Sequence, residues 1–459
     1  MITPSSPSSP TSPKGLPPPP DIVRSAFAEL IVTDLAEARH FWVDLLGFVV
    51  THESSSELYL RGYDELTHHN LVLRSGPVAA LGALAFRVRG DGDLARAEAF
   101  YAALGCRTTR LPAGYTRGIG EQVRAEDPLG FTVSFFAAAS HAERLQQRYD
   151  LRRGAEVARL DHFNICVPDV PAAYALYTSL GFGLSETIED GQTLYAAWMY
   201  RKQTVHDVAF TGGAGPRLHH LGFFAHEPHN VLRMCDILGS LSLEACIERG
   251  PGRHGVSNAF YVYLRDPDGH RMEVYTSDYY TGDPDHPVLR WSVLDPRRRD
   301  FWGHAVVPSW YNEASPVLSL DGCVVPVTEI AQAAESTVKV GADGFTIPPA
   351  ELAETADHDQ AGHGRSKQWH GSGPTPPRSH TSSSIAAGLN RTCCPSGIPL
   401  ILLARCAKYL RATADSTGTT LSQVNSPPPI KGCLAMSLWP ARRPPWRTCQ
   451  SWATFQPVT

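Results

Sequence analysis

Two histidines and one glutamate in this sequence can form a single metal site. They are His162, His220 and Glu273, which follow one another at intervals of 58 and 53 residues. Two imidazoles and one carboxylate on one face of a metal ion leave coordination positions open for a substrate and for O₂. Such a site, with a non-haem iron or manganese ion, can carry oxygen chemistry.

Each of these residues also has an ordinary explanation when it is taken alone. A histidine in a strand is more often a hydrogen-bonded core residue than a metal ligand, and the chain contains 19 histidines. Glu273 lies in the stretch MEVY and can face outward, because the side chains of Met272 and Val274 point the other way. A metal site therefore needs support from a second feature of the sequence.

An internal repeat gives that support. Residues 28–50 and 163–184 share one layout, in which a strand leads through a Thr-Asp or Pro-Asp step into an aromatic-containing helix and then Leu-Gly-Phe. Asp34 and Asp169 suit a helix N-terminus, where a carboxylate meets free backbone N–H groups. The two segments are therefore predicted to be copies of one structural unit.

Two further copies of the unit begin near Leu81 and Leu218. Each contains a helical stretch and closes on a turn followed by a strand. The helical stretches are 94–105 and 231–241, and the turn-and-strand segments are 127–136 and 266–275. We therefore predict an α+β fold of four βαβββ modules that pair into two halves.

Superimposing the two halves compares the chain with itself. Phe27, Ala83 and Ser134 of the first half correspond approximately to the three metal candidates of the second, at intervals of 56 and 51 residues. One half thus carries two imidazoles and a carboxylate where the other carries none. A duplicated scaffold with one loaded and one empty site explains this pattern, and it favours the metal site over three separate explanations.

Composition restricts the partners and the location of the protein. The 459 residues carry a net charge of −5, which argues against nucleic acid or an anionic membrane surface as the main partner. The most apolar run, residues 398–404, is too short to span a membrane. The ten cysteines lack C-x-x-C spacing, which favours reduced thiols and a cytoplasmic location.

The sequence changes character near residue 365. Residues 366–459 contain one acidic residue, Asp415, against ten Lys and Arg, and they hold four of the nine tryptophans and five of the ten cysteines. Helix and strand periodicity is weak there. One hypothesis is a non-native tail from a shifted reading frame or read-through, and the alternative is a genuine disordered basic appendage. Residues 1–20 are predicted to form a disordered Pro/Ser-rich arm.

Several long motifs are more specific than the spacing alone. They are RLDHFN (159–164), YAAWMYRKQTVHD (195–207), GPRLHHLGF (215–223), IERGPGRHGVSNAFYVYLRDPDGHRMEVYTSDYYTGDP (247–284) and RRRDFWGHAVVPSWY (297–311). Through these motifs the chain resembles the type I extradiol dioxygenases of the vicinal oxygen chelate superfamily. Among these it is most similar to the homoprotocatechuate (3,4-dihydroxyphenylacetate) 2,3-dioxygenases. The resemblance runs from about residue 21 to about residue 345.

The resemblance implies roles for individual residues. The family's metal ligands fall on the His of the DHFN motif, the second His of the HH pair and the Glu of the MEVY strand, which are here His162, His220 and Glu273. The metal is then Fe(II) or Mn(II). His206 matches the family's acid/base histidine, and the near-neutral pKa of an ordinary imidazole suits that role. Asn164 matches a residue beside the O₂ position and shares a strand face with His162.

Further residues bear on substrate binding. His254 and Tyr263 match residues that hydrogen-bond the bound substrate or its oxygen adduct, although Tyr263 alone can equally be a packed strand aromatic. Guanidinium groups pair well with carboxylates, so arginines near the site imply an acidic substrate, although single exposed arginines are common. The substrate-binding residues that the resemblance implies are Arg249, Arg298, Arg299, Trp198 and Trp310.

The resemblance implies extradiol cleavage, with O₂, of 3,4-dihydroxyphenylacetate or a similar acidic catechol to a muconic semialdehyde. It also implies a homotetramer. Two alternatives stay open at this point, a glyoxalase-like isomerase or lyase and a non-catalytic binding protein on the same scaffold. The predicted domains are the arm (1–20), a metal-free vicinal oxygen chelate domain (21–150), a metal-binding catalytic domain of the same type (151–277), a lid (278–350) and the tail (366–459).

Overall fold

The computed structural model describes residues 15–330 and the backbone of residues 339–340 and 346–347. The chain divides into two units, Met1–Lys367 and Gln368–Thr459, and every described residue belongs to the first. Three predictions from the sequence lie wholly or partly outside the described residues. These are the arm as far as residue 14, the part of the lid after residue 330 (apart from residues 339–340 and 346–347), and the basic tail.

The first half is built from two βαβββ modules in one sheet. Its eight strands are hydrogen-bonded in the order β2-β3-β4-β1-β5-β8-β7-β6. The elements are β1 (Ile22–Val32), α1 (Leu35–Arg39), β2 (Val49–Glu53), β3 (Glu57–Arg61), β4 (Leu71–Ser75), β5 (Ala80–Val88), α2 (Gly92–Ala103), β6 (Thr108–Leu111), β7 (Gln122–Glu126) and β8 (Thr132–Phe136).

The second half repeats this plan with one added strand. Its nine strands follow the order β14-β15-β16-β13-β9-β12-β11-β10-β17. The elements are β9 (Arg159–Val167), α3 (Val170–Ser179), β10 (Gly183–Glu189), β11 (Leu194–Tyr200), β12 (Val208–Gly212), β13 (Arg217–Phe224), α4 (Pro228–Ser240), β14 (Ile247–Arg253), β15 (Phe260–Arg265), β16 (Arg271–Thr276), β17 (Leu289–Ser292) and α5 (Ser309–Asn312). The predicted α+β fold of four paired βαβββ modules is confirmed.

The helix starts follow from side-chain capping. The carboxylate of Asp34 accepts hydrogen bonds from the backbone N–H groups of Ala36 and Glu37, at 2.9 and 3.1 Å. Asp169 accepts in the same way from the N–H of Ala172, at 2.9 Å. These bonds satisfy N–H groups that have no partner within the helix, which is why the same step begins both copies.

The first helix departs from a regular α-helix. Helix α1 ends at Arg39, and residues His40–Leu45 form a π-helix. The wider turn buries Phe41, Trp42 and Leu45 together. The indole Nε1 of Trp42 also donates to Asp266 of the second half, at 3.2 Å. A contact with the other half, which is not visible in the local sequence, thus accompanies the change of helix type.

The two halves share one hydrophobic core. The ring of Phe86 in β5 contacts the ring of Phe163 in β9, with centroids 5.7 Å apart. On the other side, the rings of Phe48 and Phe223 meet edge to face at 5.0 Å. Aromatic side chains each bury about 150–250 Å² and dominate the energetics of such a core. The second sheet therefore rests against a first half that is itself well packed.

Residues 277–330 pass from the second half to the first. Strand β17 pairs in parallel with the edge strand β10. Further on, Ser315 and Leu218 exchange two backbone hydrogen bonds of 2.9 Å. The backbone N–H of Leu81 then donates to the carbonyl of Pro316 at 2.8 Å. The described part of the predicted lid is therefore attached to both sheets.

Within the part of the chain that the structure describes, no helix is both long enough and apolar enough to span a bilayer. The cysteines of this part, Cys106, Cys166, Cys235, Cys246 and Cys323, are all free thiols.

Candidate active site

Three ligand-type side chains converge on the face of the second sheet. His162 lies in β9, His220 in β13 and Glu273 in β16, and all three are buried. The two Nε2 atoms are 3.3 Å apart, and Glu273 Oε2 lies 3.1 Å from Nε2 of His162 and 3.5 Å from Nε2 of His220. One ligand atom from each residue therefore lies within 4.8 Å of the other two.

Strand register explains this convergence. His162 and Glu273 lie on the two strands that flank β13, and each pairs with the same residue, Gly222. His220 precedes Gly222 by two residues and so faces the same side of the sheet. A Cβ added to Gly222 would lie 2.1 Å from Cε1 of His162. The glycine thus leaves the space that the ring of His162 occupies.

The same register appears in the first half without the ligands. Phe27 pairs with Ala85, and Ala85 pairs with Ser134 on the other side. Ala83 precedes Ala85 by two residues, as His220 precedes Gly222. The correspondence of Phe27, Ala83 and Ser134 with the three ligand-type residues therefore agrees with the register of the two sheets.

The electrostatics of the three residues suit a divalent cation. Burial raises the pKa of Glu273, but hydrogen bonds from His162, His220 and His254 outweigh it and hold the pKa well below its usual range. Burial lowers the pKa of His220 to about 4. Burial lowers the pKa of His162, but its contacts with Asp161 and Glu273 outweigh burial and raise the pKa. A carboxylate and two imidazoles therefore meet in one buried site. This donor set fits Fe(II) or Mn(II).

Neighbouring residues orient the two imidazoles through their Nδ1 atoms. Nδ1 of His162 lies 3.3 Å from Asp161 Oδ2. Nδ1 of His220 lies 2.7 Å from Nδ1 of His219, whose Nε2 in turn donates to the carbonyl of Trp310 at 2.9 Å. Hydrogen bonds of this kind fix the ring orientation and leave Nε2 of each ligand-type histidine directed at the site.

All twelve residues that the sequence singled out line one pocket. Besides the residues above, the pocket contains Asn164, Trp198, His206, Arg249, His254, Tyr263, Arg298, Arg299 and Trp310. Residues 298–310 belong to the segment predicted to be a lid, so part of the pocket wall comes from outside both sheets.

The ring of His206 packs against the ring of His162. Its ring centroid lies 3.9 Å from that of His162, with 37° between the planes. Burial lowers the pKa of His206 well below its ordinary value. The imidazole is therefore neutral at pH 7 and can accept a proton before it donates one.

His254 and Tyr263 form a second polar pair in the pocket. Nδ1 of His254 lies 2.5 Å from the carbonyl oxygen of Arg299, which can only accept, so Nδ1 carries the proton. Burial lowers the pKa of His254. Its Nε2 lies 2.8 Å from the hydroxyl of Tyr263 and 3.5 Å from Oε1 of Glu273. The hydroxyl oxygen of Tyr263 keeps lone pairs for a further hydrogen bond.

Arg249 lies beside an aromatic ring, and Arg298 bonds to the main chain. The guanidinium carbon of Arg249 is 4.5 Å from the ring centroid of Trp310, and its NH2 group donates to the carbonyl of Arg299 at 2.7 Å. Arg298 is buried and donates to the carbonyl of Asp295 at 2.8 Å. Cation–π contact and main-chain bonds hold the positive charge in place, which suits recognition of an anionic group.

Sequence reasoning missed some residues of the pocket. His219 is the first histidine of the HH pair, and that repetition was the signal for it. Thr211 was missed, although its hydroxyl donates to Oδ1 of Asn164 at 2.9 Å. Val256 and Ser257 also line the pocket, and Ser257 has a φ of 61°, which is rare outside glycine. Motif spacing gives no signal for a backbone conformation of this kind.

Two family models match the chain. One is described as the Glyoxalase/Bleomycin resistance protein/Dioxygenase superfamily and matches residues 159–274. The other is described as the catechol 2,3-dioxygenase-like N-terminal domain and matches residues 82–140. The first match contains all three ligand-type residues.

Individual relatives agree with these models. A solved structure of homoprotocatechuate 2,3-dioxygenase from Brevibacterium fuscum, in complex with 3,4-dihydroxyphenylacetate, is 57% identical with a TM-score of 0.68, covering 69% of this chain and 99% of that one. Metapyrocatechase of Geobacillus stearothermophilus is 29% identical over 317 residues, which are 65% of this chain and 94% of the relative. The manganese-dependent 2,3-dihydroxybiphenyl 1,2-dioxygenase of Geobacillus genomosp. 3 is 28% identical over 297 residues, or 61% and 94%.

The repeated scaffold and its buried His/His/Glu group define a metal-dependent enzyme of the glyoxalase and dioxygenase superfamily. Within that superfamily the chain belongs to the extradiol ring-cleaving dioxygenases. The resemblance inferred from the motifs is thereby confirmed, and the isomerase and binding-protein alternatives are set aside. Dioxygenases of this class use Fe(II) or Mn(II), for which the donor set is suited.

Proposed function

We propose that this extradiol dioxygenase opens the ring of 3,4-dihydroxyphenylacetate, or of a similar acidic catechol, to a muconic semialdehyde in the catabolism of aromatic compounds. One observation carries the proposal: the pocket that contains the His/His/Glu group also contains Arg249, Arg298 and Arg299. An uncharged catechol has no use for three buried or half-buried guanidinium groups. The relative crystallised with 3,4-dihydroxyphenylacetate supports the same substrate class.

In this proposal His162, His220 and Glu273 hold Fe(II), with Mn(II) as the alternative. When bound, the metal supplies Lewis acidity toward the catechol oxygens and an open position for O₂. The sheet positions the ligands, because three strands of fixed register hold the donor atoms before the metal binds. Preorganisation of this kind favours binding, since few side-chain rotamers remain to be ordered.

His206 moves protons in this scheme. Its neutral imidazole accepts a proton that the catechol releases on binding and returns it to oxygen later in the reaction. Tyr263 and His254 hydrogen-bond the bound substrate, and Asn164 lies beside the O₂ position. All four residues line the same pocket as the His/His/Glu group, which supports these roles.

The substrate carboxylate pairs with the arginines. Arg249 is held by a main-chain bond and by contact with Trp310, and Arg299 donates to the hydroxyl of Tyr311 at 3.2 Å. Trp198 and Trp310 form walls of the pocket. A hydrogen bond between charged groups is worth about 1.5–3 kcal/mol. Removing one such bond costs roughly 10- to 100-fold in the preference for an acidic substrate.

Arg299→Ala tests this assignment. We expect the ratio of kcat/KM for 3,4-dihydroxyphenylacetate to that for plain catechol to fall by about 10- to 100-fold, because only the acid loses a partner. Arg297→Ala is the matched control, since Arg297 belongs to the same arginine run but its side chain is 65% exposed and paired with Asp295. An unchanged ratio in Arg299→Ala would contradict the assignment.

We further propose that the enzyme is a cytoplasmic homotetramer whose domains follow the boundaries predicted from the sequence. Exposed aromatic side chains on the lid support association, since Phe301 and Trp302 are 54% and 53% exposed. Light scattering on the purified full chain would measure the assembly. A monomer at micromolar concentration would contradict it.

A further inference from the structure

A buried polar cluster lies behind the pocket and joins the metal-free half to the catalytic half. It consists of Ser25 in β1 together with Lys202 and Asp207, which lie between β11 and β12. Ser25 and Asp207 are 1% and 0% exposed, and the side chain of Lys202 is 17% exposed. We call these three residues the polar clamp. None of them lines the pocket.

The ammonium group of Lys202 has three N–H donors, and three oxygen atoms lie near enough to accept from them. It lies 2.6 Å from the carbonyl oxygen of Asp161, 2.7 Å from the carbonyl oxygen of His206 and 3.1 Å from Oδ1 of Asp207. Asp161 immediately precedes His162. One side chain therefore ties together the backbone beside a proposed metal ligand and the backbone of the proposed acid/base residue.

Asp207 holds the loop that carries His206. Its Oδ2 accepts from the backbone N–H groups of Arg201 and Lys202, at 2.6 and 2.9 Å. Its Oδ1 accepts from the backbone N–H of Ser25 at 2.7 Å. A buried carboxylate with this many partners is stable in only one position. Asp207, the residue next to His206, is thus bonded both to its own loop and to the first half of the chain.

Ser25 brings the first half into contact with the metal strand. Its hydroxyl donates to the carbonyl oxygen of Asp161 at 2.6 Å, in addition to the bond that its N–H makes to Asp207. Ser25 is therefore bonded to the residue before His162 and to the residue after His206. Asp161 and Asp207 are 136 and 182 positions away from Ser25 in the sequence.

The ring of His206 needs such a support. Its Nδ1 atom is buried and has no hydrogen-bond partner among the residues that the structure describes. Packing on His162 at 3.9 Å and the position of the main chain therefore determine where the ring lies. The main-chain position is in turn determined by the bonds to Lys202 and to Asp207.

The internal repeat indicates that the clamp belongs to the loaded site. Val208 pairs with Phe163, the residue after His162, just as Leu71 pairs with Ala28 in the first half. Asn70 therefore occupies the position of Asp207. Both side-chain atoms of Asn70 are buried with no hydrogen-bond partner in the described chain, whereas Asp207 uses both of its oxygens.

We propose that Ser25, Lys202 and Asp207 are positioning residues that set His206 against His162, so that the metal-free half takes part in the reaction. The proposal rests on the acid/base role proposed above for His206. A misplacement of about 1 Å can cost roughly 100-fold in rate when a catalytic group depends on orientation.

Two variants test the proposal in the metal-loaded full-length enzyme. Ser25→Ala removes one hydroxyl and keeps the backbone bond to Asp207, while Lys202→Met removes the ammonium group at similar length. Both should keep full metal content and unchanged anaerobic affinity for 3,4-dihydroxyphenylacetate, yet lower kcat by about 10- to 100-fold. They should also divert part of the consumed O₂ to H₂O₂, with the two electrons and two protons supplied by oxidation of the catechol to its quinone. Ser25→Ala is the smaller change and keeps the test valid if Lys202→Met does not fold.

Ser134→Ala is the matched control. It removes a buried serine hydroxyl whose bond, to Oε1 of Gln122 at 3.1 Å, stays within the first half. We expect the kcat of this variant to equal that of the wild type. A fall in kcat similar to that of Ser25→Ala would mean that the loss of any buried serine hydroxyl lowers activity through general stability. That result would overturn the proposal.

The decisive comparison uses a His206→Asn background. If the clamp acts through His206, Ser25→Ala and Lys202→Met lower kcat no further there, because residues that act as one unit are not additive. An equal further fall, loss of metal in both variants, or wild-type kcat in both would overturn the proposal. A His206→Asn enzyme with wild-type kcat would instead refute the role proposed for His206 itself.

Discussion

Gly222 shows how much of the metal site depends on one missing side chain. It pairs with both His162 and Glu273, and it leaves the space that the imidazole of His162 fills. In the first half, Ala85 takes the same place, where Phe27 and Ser134 need no such space. The difference between a loaded and an empty half thus includes the supporting residue as well as the ligands.

Gly222→Ala should therefore disrupt the metal site. The added Cβ would lie 2.1 Å from Cε1 of His162, so the ring has to move. We expect metal affinity to fall by more than the roughly 10- to 100-fold typical of changes around the ligands. Metal content after dialysis measures this. Gly239→Ala in α4 is the control, because its Cβ meets nothing within 4 Å; stoichiometric metal in Gly222→Ala would contradict the geometry.

At the scale of elements, an ion cluster joins three strands to α5, which lies in the predicted lid segment. Glu248 in β14 accepts from Arg271 in β16 at 2.5 Å, from Arg265 in β15 at 2.7 Å and from the hydroxyl of Ser309 in α5 at 2.7 Å. Burial raises the pKa of Glu248, but the two arginines outweigh it and lower the pKa to about 2. The charged carboxylate is therefore the form that holds this segment.

This cluster predicts an acid-dependent loss of stability. A carboxyl whose folded pKa lies below its unfolded pKa stabilises the fold above the unfolded value and loses that contribution as pH falls toward the folded value. Glu248→Gln should lower the free energy of unfolding by about 1–3 kcal/mol at pH 7. The difference from the wild type should shrink between about pH 5 and pH 3.

Urea unfolding of the two proteins across this pH range would measure the difference. Glu244→Gln, at an exposed position of the same half, is the control and should match the wild type throughout. A difference for Glu248→Gln that stays constant down to pH 3 would contradict the assigned role of the cluster.

The elements were predictable where their signals are local. Aspartates that cap α1 and α3, and strands that follow a turn, recur at fixed distances in each module, so the four modules could be found from one sequence. The π-helix at His40–Leu45 could not, because it depends on packing and on a bond to Asp266 in the other half. The same reason hides the contact between Ser25 and Asp207, which are 182 positions apart.

The site was predictable for a different reason. Its ligand-type residues differ between two copies of one scaffold, so the comparison of Phe27 with His162 required no other protein. The wall formed by Val256 and Ser257 depends on a backbone conformation, for which the spacing of motifs carries no information.

At the scale of the whole molecule, charge separates the working part from the tail. Residues 366–459 carry a net charge of +9 from ten basic residues and one acidic residue, so the rest of the chain carries −14. The 99% coverage of the Brevibacterium fuscum structure uses only 69% of this chain. Almost the whole relative is therefore matched by about two thirds of this chain, and the remaining part of this sequence has no counterpart in it.

Removal of residues 366–459 should leave the enzyme intact. We expect kcat, metal content and the free energy of unfolding to equal those of the full chain, because all pocket residues lie before residue 311. Parallel assays of the full and shortened chains would measure this. Loss of folding or of activity on shortening would contradict the hypothesis of a non-native tail.

The most direct test of the central claim is oxygen consumption by the Fe(II)-loaded protein with 3,4-dihydroxyphenylacetate, run beside plain catechol. Ring cleavage inserts both atoms of O₂ into the product, so we expect one O₂ per substrate, a yellow ring-opened product and a clear preference for the acid. Absence of oxygen uptake with a filled metal site would contradict the dioxygenase assignment. Uptake without preference would leave the reaction in place and contradict the acidic pocket.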